Sequence, residues 1–153
     1  MRVRVFVIDK KNKDRLYAPL LEHYAKMIRP FAHLEVIEVF DKQIAKAHDV
    51  SPQAAQHSYT IALQKYLKDG YRIALHPEGT MLDSFAFAQT LKEHSTINFF
   101  IGGAYGFEED FLRQCNLRLS FGKITLSHKL MKAVLLEQIF RGLSINRNHP
   151  YHK

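Results

Sequence analysis

The chain has 153 residues, 46% of them hydrophobic and 24% charged, with a formal charge of +7 and a single cysteine. That length suits one domain, residues 1–153, with a substantial core, and the composition is that of a globular protein. No apolar run approaches the roughly 20 residues of a bilayer span, which excludes a membrane partner of that kind. The opening Met1–Val5 lacks a secretory signal's long apolar region, and the lone Cys115 cannot close an intrachain disulfide, so a cytoplasmic protein is expected.

Val3–Ile8 is a nearly unbroken apolar, β-rich run, as expected of a strand covered on both faces. Leu16, Tyr17, Leu20, Leu21, Tyr24, Met27 and Ile28 form a helical stripe that stops before Pro30, and Leu34–Phe40 reads as a second strand. After a polar stretch, Ser51-Pro52 is a cap and first-turn pair for a helix continued on one face by Ala55, Tyr59, Ala62, Leu63, Tyr66 and Leu67. Asp69-Gly70 ends it. Tyr71–Leu75 is a third strand, Asp83 or Ser84 caps a helix toward His94, and Ile97–Ile101 is a fourth strand too apolar for a sheet edge. A fifth short run, Leu117–Phe121, precedes one long helix from about Leu130 to Ile145. Strand and helix in alternation predict an α/β fold, a mostly parallel sheet with helices on both faces. Ligands of such sheets sit beyond the carboxyl ends of the strands, so the loops after Leu75, Ile101 and Phe121 are where chemistry is expected.

Gly102-Gly103-Ala104-Tyr105-Gly106 follows the fourth strand and precedes Phe107-Glu108-Glu109-Asp110, a helix start. Its spacing is neither GxGxxG nor a Walker A loop. The three acids already occupy the positive helix end, which argues against a phosphate seat and for a neutral or cationic ligand; a plain tight turn is the alternative. Phe121–His128 reads as a short strand leading into the last helix, either an ordinary connection or the apolar wall of a pocket whose backbone reads a base. No GxSxG, HExxH or CxxC set occurs, and Cys115 reads as a buried helix residue rather than a nucleophile.

Positive charge is one-sided. From Gln114 onward stand Arg118, Lys123, Lys129, Lys132, Arg141, Arg147 and Lys153 against one acid, Glu137, a distribution that fits a polyanion as readily as it fits simple solubility. The last helix is apolar on more than one face, so it is buried on two sides, by a second subunit in a C2 dimer or within one chain. The tail Asn146–Lys153 mixes bases, aromatics and histidines. Such a tail either contacts phosphates, stacks on a base and exchanges protons, or is a frayed terminus. His149 and His152 have no evident third ligand nearby, so no metal is expected.

Three segments taken together carry a resemblance. F-I-G-G-A-Y-G (Phe100–Gly106), L-S-F-G-K-I-T-L-S-H-K-L-M-K-A-V-L-L-E-Q-I-F-R (Leu119–Arg141) and the closing N-H-P-Y-H-K closely resemble the ribosomal large-subunit pseudouridine N3-methyltransferases, RNA methyltransferases of the SPOUT (α/β-knot) class. The match runs through essentially the whole chain in length and element order. It departs from the family's habits at His76, Lys132 and Ser127, where an acid, arginine and proline are frequent. The resemblance implies a C-terminal trefoil knot and S-adenosyl-L-methionine held by Leu75, Gly102, Phe121, Gly122, Lys123, Ile124, Thr125 and Leu126. It also implies a homodimer and, as substrate, the pseudouridine of helix 69 of 23S rRNA in the assembled ribosome. Methylation of an imide nitrogen requires removal of its proton, so His128 or His152 is expected to assist. Tyr151 would position the base, and Arg141, Arg147, His149 and Lys153 would hold RNA, with the tail serving a second copy's cofactor site. A SPOUT enzyme acting on tRNA and a non-enzymatic ribosome-binding factor are the alternatives; both would bind RNA, but only an enzyme would bind the methyl donor.

Overall fold

A computed structural model describes residues 1–11 and 14–153. Five strands, β1 (Arg2–Ile8), β2 (His33–Val39), β3 (Tyr71–Met81), β4 (Thr96–Ile101) and β5 (Leu117–Ser120), form one sheet in the order β2-β1-β4-β3-β5. Every described pairing is parallel. β4 is central, and all but its first residue are buried, as its apolar-rich run requires; buried Asn98 within it accepts from Arg4 Nε and donates to Asp69 O.

Helices cover both faces. On one, α1 (Ala18–Ile28), α4 (Ser84–Glu93) and α6 (His128–Asn146) close over Val3, Val5, Val7, Ile97 and Phe99. On the other, α3 (Pro52–Leu63), the single turn α5 (Glu109–Arg113) and α2 (Lys42–His48) pack on Phe6, Ile8, Ala74 and Phe100. Strand alternation sorts the two sets: odd residues of β1 face one layer and Phe6 and Ile8 the other. Ser51 Oγ accepts from Ala54 N–H at α3, and Asp83, rather than Ser84, caps α4 through Ala86 N–H.

Five expectations need correction. The polar stretch after Phe40 contains a helix, α2, because Asp41 accepts from Ile44 N–H and Ile44 is buried. The first helix begins at Ala18, leaving Leu16 exposed, and Cys115 lies half-buried in the turn after α5 rather than in a helix. Phe121–Ser127 is not a strand but an irregular strap before α6. β3 runs past Leu75: Leu75 and Thr80 both register with Leu119, so His76–Gly79 bulge out of the ladder before pairing resumes. Gly79 makes that return possible, since a Cβ there would stand 2.5 Å from the carbonyl oxygen of Arg118.

The breadth of apolar surface on α6 is used within one chain. The helix lies over the sheet between α1 and α4, burying Leu135, Leu136, Ile139, Phe140 and Leu143. Gly142 faces Leu91 and Ala88 of α4, with Leu91 Cδ1 2.7 Å from where a Cβ would sit. Lys132, also buried, is neutralised by Glu38 of β2 at 3.2 Å.

Candidate methyl-donor site

The bulge within β3 and the loops after β4 and β5 converge around a cavity of about 340 Å³, within the range of small-molecule sites. Leu75, His76 and Pro77 form one wall, Ile101 through Phe107 a second, and Phe121, Gly122, Ile124, Thr125 and Leu126 a third; Gln56, Leu119, His128 and Met131 complete it. Among the described residues this lining holds no lysine, arginine or carboxylate. Recognition there falls to main-chain groups, apolar contacts and a few polar side chains, Gln56, His76, Thr125 and His128. At Gly106 and Gly122, both with positive φ, a Cβ would meet nothing within 4 Å; the backbone leaves open space for a ligand to approach.

Each wall is tied down. In the glycine loop, Gly106 N–H donates to Gly103 O at 3.1 Å, and a Cβ on Gly102 would crowd Gly106 Cα at 3.1 Å. His76 Nδ1 accepts from Glu78 N–H at 3.1 Å and so shapes the β3 bulge. Buried Ser120 links the bulge to the strap: its hydroxyl lies 2.8 Å from Pro77 O and 2.9 Å from Gly122 O, and accepts from Gly122 N–H at 3.0 Å. The acids after the glycine loop do not line the cavity. Glu108, Glu109 and Asp110 pair with His57, Arg118 and Arg113, and Arg118 holds the Glu109 carboxyl below its ordinary range.

His128 opens α6 at the cavity's edge. Its buried Nε2 lies 3.2 Å from Asp9 Oδ1, an ion-pair distance without hydrogen-bond alignment. Of the residues expected to hold a cofactor, Leu75, Gly102, Phe121, Gly122, Ile124, Thr125 and Leu126 are brought together here. Lys123 is not: it lines an adjacent hollow with Glu78, Gly79 and Met81.

The tail is ordered but elsewhere. Asn148 takes a left-handed φ of 53°, with Asn148 N–H donating to Ile145 O and His149 N–H to Ser144 O. This helix-ending turn reverses the chain along α6. Tyr151 Oη then donates to Glu137 Oε1 at 3.0 Å and its ring packs on Phe140. Burial, followed by the Glu137 carboxylate, pushes the Tyr151 hydroxyl up to about 12. Arg141 is held by Glu137 at 2.6 Å, reaches His152 Nδ1 at 3.2 Å and stacks over Tyr151, while Arg147, His149 and Lys153 are exposed. Glu137 lies nine positions along α6 from His128, roughly 13 Å of helix rise. Tyr151 and His152 are therefore absent from the lining of their own chain's cavity.

Sequence reading missed Asp9, Gln56 and Ser120. Each owes its place to contacts between distant segments, and only Ser120, inside the L-S-F-G-K stretch, adjoins a recognisable motif.

Comparison with known proteins gives the same picture. The family described as "Predicted SPOUT methyltransferase" matches residues 1–152. The chain is 66% identical over 153 residues to the ribosomal RNA large subunit methyltransferase H of Sulfurovum sp. (strain NBC37-1), covering all of both chains. It is 50% identical over 155 residues to the protein of that name from Wolinella succinogenes, again over the full length of both. Among solved structures, a probable methylase family protein from Haemophilus influenzae aligns with a TM-score of 0.55 at 12% identity, over 99% of this chain and 70% of that one, a likeness of fold. Matched from end to end by the family and by relatives at this identity, the chain belongs to the SPOUT methyltransferase family, alongside the ribosomal RNA large subunit methyltransferase H proteins.

Proposed function

We propose that this protein methylates large-subunit ribosomal RNA, at N3 of a pseudouridine in helix 69 of 23S rRNA, using S-adenosyl-L-methionine. It acts on the assembled ribosome in the cytoplasm, as a homodimer whose 153-residue subunit is one knotted SPOUT domain. The observation that carries the reading is the cavity, free of lysine, arginine and carboxylate side chains, walled largely by main chain from the β3 bulge and the loops after β4 and β5. Its volume and the open faces of Gly106 and Gly122 fit the cofactor. S-adenosyl-L-methionine supplies an electrophilic methyl group on a sulfonium sulfur.

The chain's own residues do the rest. Leu75, Gly102 and the strap Phe121–Leu126 hold the donor and keep water from it, Lys123 contributing backbone only. A neutral imide N–H is a poor nucleophile, so a base must take its proton. His128 stands at the cavity's edge, its Nε2 3.2 Å from Asp9 Oδ1. His152 and Tyr151, held outside their own chain's cavity by Arg141 and Glu137, serve the cavity of a second copy. That division of labour is what supports the dimer, since the apolar surface of α6 is largely covered within one chain. Arg147, His149, Lys153 and Arg141 hold RNA phosphates.

Incubation with labelled S-adenosyl-L-methionine and, in parallel, intact ribosomes, separated subunits, naked rRNA and tRNA tests the reading. Label at a pseudouridine N3 on intact ribosomes alone is expected. Label on tRNA, or ribosome binding without transfer, overturns it.

A further inference from the structure

The glycine loop Gly102–Gly106 is the most conformationally free wall of the cavity, and three glycines cannot by themselves hold one shape. Three side chains from the opposite helical layer hold it from behind. Gln56 Nε2 donates to Tyr105 O at 2.7 Å. The fully buried Tyr59 lies beneath Gly103, so close that a Cβ there would sit 2.8 Å from Tyr59 Oη. Tyr59 Oη is in turn 2.6 Å from His48 Nε2, and the His48 ring sets its edge against Tyr105 with centroids 5.3 Å apart. The half-buried His48 also sets its ring edge-on to Phe40, with centroids 5.6 Å apart. Burial pushes the Tyr59 hydroxyl up to about 12, and the hydrogen bond it shares with His48 Nε2 takes its direction from the imidazole tautomer.

We propose that Gln56, Tyr59 and His48 are positioning residues that preset the Gly102–Gly106 loop for the methyl donor. Two glycines, Gly103 and Gly106, serve opposite ends of this arrangement: the first admits Tyr59 from behind, the second leaves room for the ligand in front. Gln56 also reaches the cavity lining, so α2 and α3 carry a functional load although neither strand-end motif includes them. A site held in advance binds without first ordering its wall.

The inference rests on reading the cavity as the methyl-donor site, and the test separates the two. Calorimetric titration of the full chain with S-adenosylhomocysteine is compared for wild type, Gln56→Ala, Tyr59→Phe and His48→Gln, each at a temperature well below its melting point. Amide exchange is followed at Tyr105 and Gly106. Gln56→Ala and Tyr59→Phe are expected to weaken binding about tenfold and to speed exchange at those two amides. His48→Gln, which keeps a polar partner for Tyr59, should retain most of the affinity. A wild type that does not bind sinks the cofactor reading itself. A wild type that binds, with Gln56→Ala binding equally well, overturns this inference whatever happens to the stability of the Tyr59 variant.

Discussion

Replacing Ser120 with alanine tests how the cavity is assembled. Ser120 is 3% exposed and joins the β3 bulge to the strap. One hydroxyl proton serves one carbonyl at a time, Pro77 O or Gly122 O, while the oxygen accepts from Gly122 N–H. Alanine thus removes one donated and one accepted bond, at about 1 kcal/mol each, or about 2 kcal/mol in all. For a chain of this size that lowers the melting temperature by about 4–8 °C. Because the lost bonds fasten two of the three cavity walls to each other, S-adenosylhomocysteine affinity should fall with it, several-fold at a temperature where the variant is fully folded. Scanning calorimetry and titration of wild type and Ser120→Ala measure both. A melting point within 1–2 °C of wild type (about half a kcal/mol or less) together with unchanged affinity would refute the assembly described here.

Removal of residues after Asn148 should abolish methylation while S-adenosylhomocysteine affinity stays within a few fold, because Tyr151 and His152 lie outside their own cavity; turnover assays on ribosomes decide it, and unimpaired turnover removes the tail's role. Glu137→Gln withdraws the carboxylate that holds both Arg141 and Tyr151, so turnover should drop further than donor affinity, and equal losses in the two would argue against a positioned tail. Tyr59 and Tyr151 are both raised from 10 to about 12. Each favours the folded state below pH 10, and that contribution is lost as pH climbs toward 12. Denaturant titrations across that range should show stability falling with pH, and a double Tyr→Phe variant should flatten the slope. Binding to ribosomes should weaken steeply as salt rises, with a smaller slope when Arg147 and Lys153 are both neutralised; an unchanged slope would exclude those two from phosphate contact.

Much of the architecture was readable in local pattern. Apolar-rich runs marked the parallel strands, Ser51 and Asp83 marked helix starts, and Ile101 and Phe121 marked strand ends where the cavity lies, whereas Leu75 opens a bulge rather than ending β3. Helix α2 was legible only through Asp41 and Ile44, because seven polar-rich residues carry too little periodicity to register. The turn that reverses the tail was legible in principle at Asn148, a residue that tolerates the left-handed region.

Backbone propensity and side-chain periodicity act between residues a few positions apart, and that reach extends to the elements, their caps and the glycines that leave space for a ligand. Strand order, the bulge that returns Thr80 to the partner of Leu75, the meeting of Asp9 with His128, and the grip of Gln56 and Tyr59 on a loop nearly fifty residues away depend on distant segments packing into one body. Such contacts exist only once the sheet has closed between its two helical layers, and no short-range pattern encodes them.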